Sequence, residues 1–223
     1  IANTPASEVE IIIEEQPKHR IRIRGLVSER IFKIGCFDLW TEVSTDIGSN
    51  KVRFNDELIN QSEYPQEYQI IYHANFGPPI LEAAAKFVGP VKEVFPLNDY
   101  ASQGLSGFDT YLEPTRDYGE QVYCMRMSAD NQKRTTVMLH NAAGNQGVAM
   151  HYDTFTLPAF NLWKNTDTVS DGYVTGLEPA TGFPFNRSVE RENNRVRRLD
   201  PKEAVRFLVD VEVLSNASEV GAT

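Results

Sequence analysis

Hydrophobic and polar positions alternate along much of this chain with a period of two, the spacing of a strand that buries one face. Arg20-Ile-Arg-Ile-Arg24 sets Ile21 and Ile23 on one side and arginines on the other, which predicts a half-buried strand with a wet, basic face. The same period runs through Phe37-Asp-Leu-Trp-Thr-Glu-Val43, Lys51-Val-Arg-Phe54 and Phe207-Leu-Val-Asp-Val-Glu-Val213. Apolar, β-favouring runs at 8–15, 66–73, 121–127, 135–140, 147–152 and 159–163 predict further strands. Turn formers divide them: Gln16-Pro17-Lys18, Gly48-Ser-Asn50 and Asn141-Ala-Ala-Gly-Asn-Gln146. Residues 80–87 have a helical composition over a short span. Residues 90–118, rich in Pro, Gly, Asp, Asn and aromatics, read as one long ordered loop of the kind that usually carries function. No window of helical length shows an amphipathic stripe, and strands do not alternate with helices. The expectation is an all-β fold, an antiparallel sandwich or barrel. No repeat, low-complexity tract or linker marks a boundary, so residues 1–223 read as a single domain.

Composition narrows the functions rather than the fold. The formal net charge of -9 and the lack of any contiguous basic footprint argue against a nucleic-acid partner. No apolar run is long enough to span a bilayer and the first residues do not form a signal peptide, so no membrane partner is expected and the cytoplasm is the expected location. Cys36 and Cys124 lie far apart in apolar runs and read as two reduced, buried thiols.

One stretch stands out for chemistry: Gly172-Tyr-Val-Thr-Gly-Leu-Glu-Pro-Ala-Thr-Gly-Phe-Pro184. It has β-favouring Tyr173 and Val174 near its start, but its three glycines (Gly172, Gly176, Gly182) and two prolines (Pro179, Pro184) predict turns in place of a strand after Val174. Glu178 sits among apolar neighbours, where desolvation would raise its pKa toward the range of a general base. The alternative is an exposed glutamate in a strand-to-loop turn. His73 ends an apolar run just before Ala74-Asn-Phe-Gly-Pro-Pro79, at a predicted sheet rim where an imidazole can give or take a proton. A lone histidine in such a place is more often one satisfied by a neighbouring backbone group. Trp163-Lys164-Asn165 joins a flat apolar face, a cation and an amide, a trio suited to a sugar, or else an interior tryptophan at a strand end. Arg187 could clamp an anionic substituent or be a plain surface arginine. No metal or cofactor is expected. His73, His140, His151, Glu120 and Glu178 lack compact ligand spacing, and neither a nucleophile elbow, a phosphate loop nor a dinucleotide fingerprint occurs.

His73-Ala-Asn-Phe-Gly-Pro-Pro79 together with Leu162-Trp-Lys-Asn165 and Gly172–Pro184 resembles an uncharacterised bacterial family, a domain of unknown function in the galactose mutarotase-like (aldose 1-epimerase) superfamily. The resemblance runs from Asn3 to about Val213. It implies a β-supersandwich whose concave face holds a small-molecule carbohydrate. By that resemblance His73, in Tyr72-His-Ala-Asn-Phe76, protonates the ring oxygen, with Asn75 beside it as a substrate ligand. Glu178, in Leu177-Glu-Pro179, takes the anomeric proton. Gly119-Glu-Gln-Val-Tyr123 stands where the superfamily has a substrate-binding Asp followed by His, so Glu120 replaces the Asp and the histidine is missing. A second active-site histidine has no counterpart, since His19 lies in a basic turn. In the resembling family a Leu-His-Gly segment precedes Asn3-Thr-Pro-Ala6, which implies the C-terminal portion of a longer protein, a sandwich lacking N-terminal strands and exposed edges that would favour a homo-oligomer. Three functions follow: an anomer-interconverting isomerase, a sugar-binding protein without turnover on the same fold, and a metal-dependent sugar isomerase.

Overall fold

The computed structural model describes residues 4–16 and 19–223, so the turn expected at Gln16-Pro17-Lys18 falls at residues that are partly outside the described ones. Antiparallel strands dominate, as the period of two predicts. The chain forms two compact units, Ile1–Gln69 with Val196–Glu212 and Ile70–Arg195 with Val213–Thr223.

The first unit opens with β1 (Glu8–Glu14), β2 (Arg20–Ile31), β3 (Gly35–Asp46), β4 (Lys51–Asn60) and the short β5 (Gln66–Tyr68). The second holds β6 (Ala74–Phe76), β7 (Lys86–Val88), β8 (Val91–Pro96), α1 (Asp99–Ser102), β9 (Gln121–Met127), β10 (Arg134–His140), β11 (Gly147–Asp153), β12 (Ala159–Thr166), β13 (Tyr173–Ala180) and α2 (Arg187–Glu192). The chain then returns to the first unit through β14 (Arg197–Leu199) and most of β15 (Ala204–Leu214), and ends in α3 (Ala217–Ala222).

In the first unit β1, β2, β3, β4 and β15 pair antiparallel in that order, and β14 pairs with β5. Phe37, Leu58, Tyr68, Leu199, Phe207 and Val209 are buried, with Tyr68 set edge-on to Phe207. The two faces of β2 are the reverse of the sequence expectation. Ile21 and Ile23 are exposed, as are Val9, Ile11 and Ile13 on β1, whereas Arg20, Arg22 and Arg24 are half-buried. Cross-strand pairing explains the reversal. Arg20 bonds Asp46, Arg22 bridges Glu14 and Glu42, and Arg24 lies 4.1 Å from the centre of the Trp40 ring. Alternation fixes which residues share a face, not which face is covered.

The second unit is two-layered. One sheet runs β6-β13-β12-β9-β8, and β11, β10 and β7 pair antiparallel in another layer. Phe160 of β12 stacks on Phe87 and Tyr152 of the opposite layer, with ring centroids 5.4 and 6.1 Å apart. Tyr123, Met125, Leu139, Leu162 and Leu177 are fully buried beside them.

Several local expectations are corrected. The loop expected at 90–118 contains β8, α1 and a 3-10 turn. Residues 80–87 hold turns leading into β7 instead of a helix. The strand expected at 66–73 is only β5, followed by an isolated bridge from Ile71 to Ala180. Most consequential, Gly172–Pro184 is not a set of turns after Val174: β13 runs unbroken to Ala180 between β6 and β12. Pro179 lacks an N–H, yet its carbonyl still accepts from the Tyr72 N–H. Both cysteines are free; Cys124 is buried as expected, but Cys36 is only half-buried.

Candidate active site

Register alone assembles the site in the second unit. Leu177 pairs with Ala74 and Ala180 bridges Ile71, so the same antiparallel register sets His73 opposite Glu178. Glu178 pairs with Asn161, Asn161 with Cys124, and Cys124 with Phe95. One straight row therefore crosses the sheet from His73 through Glu178, Asn161 and Cys124 to Phe95. The next row is Asn75, Gly176, Trp163 and Val122, on the same face because residues two apart in a strand point the same way.

His73 Nε2 lies 3.0 Å from Glu178 Oε1, and His73 Nδ1 is 2.8 Å from Asn75 Oδ1. The imidazole is thus held between an amide and a carboxylate. Its ring meets the Trp163 indole edge-on at 5.4 Å, and the indole N–H donates to Glu120 Oε2 at 2.8 Å. His73 is half exposed, whereas Glu178 is only 3% exposed, which discards the loop-glutamate alternative. Burial lifts the Glu178 carboxyl from an ordinary 4.5 to about 7, with the nearby imidazole pulling the other way. Gly176 makes room for it: a Cβ there would collide with Glu178 Oε1 and stand 3.2 Å from Cδ, so the carboxylate leans over a strand position that only glycine leaves open.

Five of the eight expected residues, Glu178, His73, Asn75, Glu120 and Trp163, come together in this way. Asn165 shares the Trp163 face but gives its Nδ2–H to the Gly172 carbonyl at 3.1 Å. Lys164 is corrected. It points to the opposite face, buried, and donates to the carbonyls of Phe108 and Thr110 at 3.1 and 2.7 Å, 4.5 Å from the centre of the Tyr111 ring. Burial lowers its pKa to about 8. The cause is the strand period: in Trp163-Lys164-Asn165 only the outer two share a face. Arg187 opens α2 at the exposed surface.

Other groups escaped the sequence reading. Half-buried Arg195 pairs with the fully buried Glu190 at 2.6 Å, and Glu190 Oε2 accepts the Phe183 N–H. Phe183 packs with Cys124, Ala159 and Ala180 beside the row. Asn161 is fully buried. A signal for it existed, since it is the one polar residue in Ala159-Phe-Asn-Leu-Trp163 on the Trp163 face. Among the described residues no group of three His, Cys, Asp or Glu is set to hold a metal ion, and no helix is long and apolar enough to cross a membrane.

A family described as a domain of unknown function, DUF4432, matches residues 1–213. The chain belongs to this family. Its relatives in structure carry the fold further. This DUF4432 chain is 43% identical to a candidate aldose 1-epimerase from Klebsiella pneumoniae, with a TM-score of 0.96 over 99% of the chain, and it spans 57% of that protein's length. A candidate aldose 1-epimerase from Escherichia coli K12 gives a TM-score of 0.64 at 11% identity, covering 93% of this chain and 68% of its own. The galactose 1-epimerase of Lactobacillus acidophilus gives 0.64 at 10%, covering 93% and 67%. At such identities the last two define the fold, which is the antiparallel, galactose mutarotase-like β-sandwich. No curated protein matches the DUF4432 chain.

Proposed function

We propose that this protein interconverts the anomers of an aldose or aldose derivative by acid–base catalysis, with Glu178 as base and His73 as acid. The observation that carries the reading is the contact of a buried carboxylate with a half-exposed imidazole, 3.0 Å apart, beside an indole. Mutarotation acts on two oxygens attached to one carbon, so its acid and base need to stand side by side. Glu178 takes the proton of the anomeric hydroxyl, and the electron pair of that O–H closes a carbonyl as the bond from C1 to the ring oxygen breaks. The imidazolium of His73 gives its proton to the ring oxygen. The C1–C2 bond rotates, and the reverse transfers close the ring on the other face. Both groups end as they began, so neither a cofactor nor a net oxidant enters.

The raised Glu178 pKa suits a base working near neutrality, because it must be both ionised and willing to hold a proton. Asn75 orients the imidazole through Nδ1, which directs Nε2 toward the carboxylate. Trp163 offers the sugar an apolar face, and Glu120 fixes that ring through its N–H. Glu120 therefore serves as an orienter of Trp163 in addition to any contact with substrate. Its engagement there also favours the second reading, sugar binding without turnover.

Polarimetry of freshly dissolved aldoses separates the two. Glu178→Gln and His73→Asn should each lower kcat by about 10²–10⁴-fold, while Trp163→Ala raises KM. Full activity in Glu178→Gln contradicts the mechanism. Saturable sugar binding with no acceleration in the wild-type protein selects the binding reading.

A further inference from the structure

Asn161 lies at the centre of the row, fully buried, and neither its Nδ2 nor its Oδ1 has a hydrogen-bond partner. Buried amides are almost always paired, so a wholly unpaired one calls for a partner in some state of the molecule. The row shows which. On one side of Asn161 stands Cys124, whose thiol burial pushes up to about 12, leaving it a neutral and weak partner. The residues two positions away on its own strand, Ala159 and Trp163, offer no acceptor on this face, and Phe183, Phe95 and Leu97 add only apolar surface around Cys124. On the other side, directly opposite in the ladder, stands Glu178. Directly opposed residues have Cβ atoms about 4.5–5.5 Å apart, within reach of one side-chain rotation. Glu178 Oε1 is itself buried with no well-aligned donor, although His73 Nε2 is close. In this arrangement the carboxylate leans over Gly176 with Oε1 3.0 Å from the imidazole, and the Asn161 amide makes no hydrogen bond to it.

We infer that Asn161 is a positioning residue for the base: its Nδ2–H holds the Glu178 carboxylate once a sugar draws His73 away. This rests on the reading of Glu178 as the base. A carboxylate acting on an anomeric hydroxyl has one oxygen for the proton, and the other needs a donor. With His73 engaged on the ring oxygen, Asn161 is the donor in the row. The amide then keeps the freed carboxylate ionised and aimed, where without it the buried charge would take up a proton.

The test uses the His73→Ala protein, in which the imidazole is absent and Glu178 must find its other partner. The Glu178 carboxyl is followed by carbon-13 NMR of glutamate-labelled protein, assigned by its loss in Glu178→Gln. Adding Asn161→Leu, an apolar change of similar size, should raise the titration midpoint by about one pH unit, and Asn161→Ser, with a shorter donor, should raise it less. In the otherwise wild-type protein Asn161→Leu should lower kcat about 10–100-fold at unchanged KM and move the acidic limb of the pH profile upward. Identical midpoints in His73→Ala with and without Asn161 overturn the inference, as does a loss of folding stability with no movement of the midpoint. If Asn161→Leu does not fold, Asn161→Ser alone decides by the same reading. The titration requires no sugar, so absence of anomerase activity with a shifted midpoint would refute the proposed function and leave the Asn161 contact standing.

Discussion

At the scale of single residues the site depends on Glu178 being buried enough to hold a proton near neutral pH. Its raised pKa is also a statement about stability. Below pH 4.5 the carboxyl is protonated whether the chain is folded or not, and burial of the charge plays no part. As pH rises from there to about 7 the unfolded chain gives up its proton first, so the folded state loses stability, by on the order of 3 kcal/mol at most. Glu178→Gln removes that dependence. Its melting temperature should exceed that of the wild type at pH 8 and converge on it near pH 4, and parallel melting curves across that range would mean the carboxyl is not desolvated. Lys164 gives the converse case. Its ammonium is tied to backbone carbonyls on the far face of β12, so Lys164→Met should change the melting temperature while sugar KM stays at the wild-type value. A raised KM would return Lys164 to the site.

At the scale of elements, the strands were legible wherever a run alternated strictly, as in β2, β3 and β15, because the period of two is local information. Two things were not. Glycine and proline in β13 read as turns, yet the ladder tolerates Gly176 because Glu178 folds over it, and tolerates Pro179 because its carbonyl alone is used. His73 and Glu178 are separated by more than a hundred residues, and only the pairing of β13 with β6 brings them opposite each other. The chemistry of each residue could be read singly, their convergence could not. The reversed faces of β1 and β2 carry a consequence. Val9, Ile11, Ile13, Ile21 and Ile23 form an exposed apolar row on an edge hairpin, with Ile11 at 69% exposure. Replacing Ile11 and Ile13 by Lys should reduce binding of a hydrophobic dye and slow concentration-dependent light scattering, with unchanged anomer exchange. Unaltered dye binding would show that the row is covered in solution.

At the scale of the whole molecule, family, fold and site stand at different depths. Membership of DUF4432 and the mutarotase-like sandwich follow from the match over residues 1–213 and the likeness to the Klebsiella protein, of which this chain spans 57%. The proposed activity rests on the contact of Glu178 with His73, which is more specific than fold, since one scaffold serves many chemistries. The net charge of -9 fits a neutral or cationic solute more readily than nucleic acid. The central claim is proton transfer at an anomeric centre, and exchange NMR observes that step directly as magnetisation passing between α and β resonances of an aldose at equilibrium. The account predicts protein-dependent exchange that rises with pH to about 7, as Glu178 ionises, and disappears in Glu178→Gln. Exchange in Glu178→Gln as fast as in the wild-type protein, or none above the buffer rate across a panel of aldoses in the wild type, would contradict it.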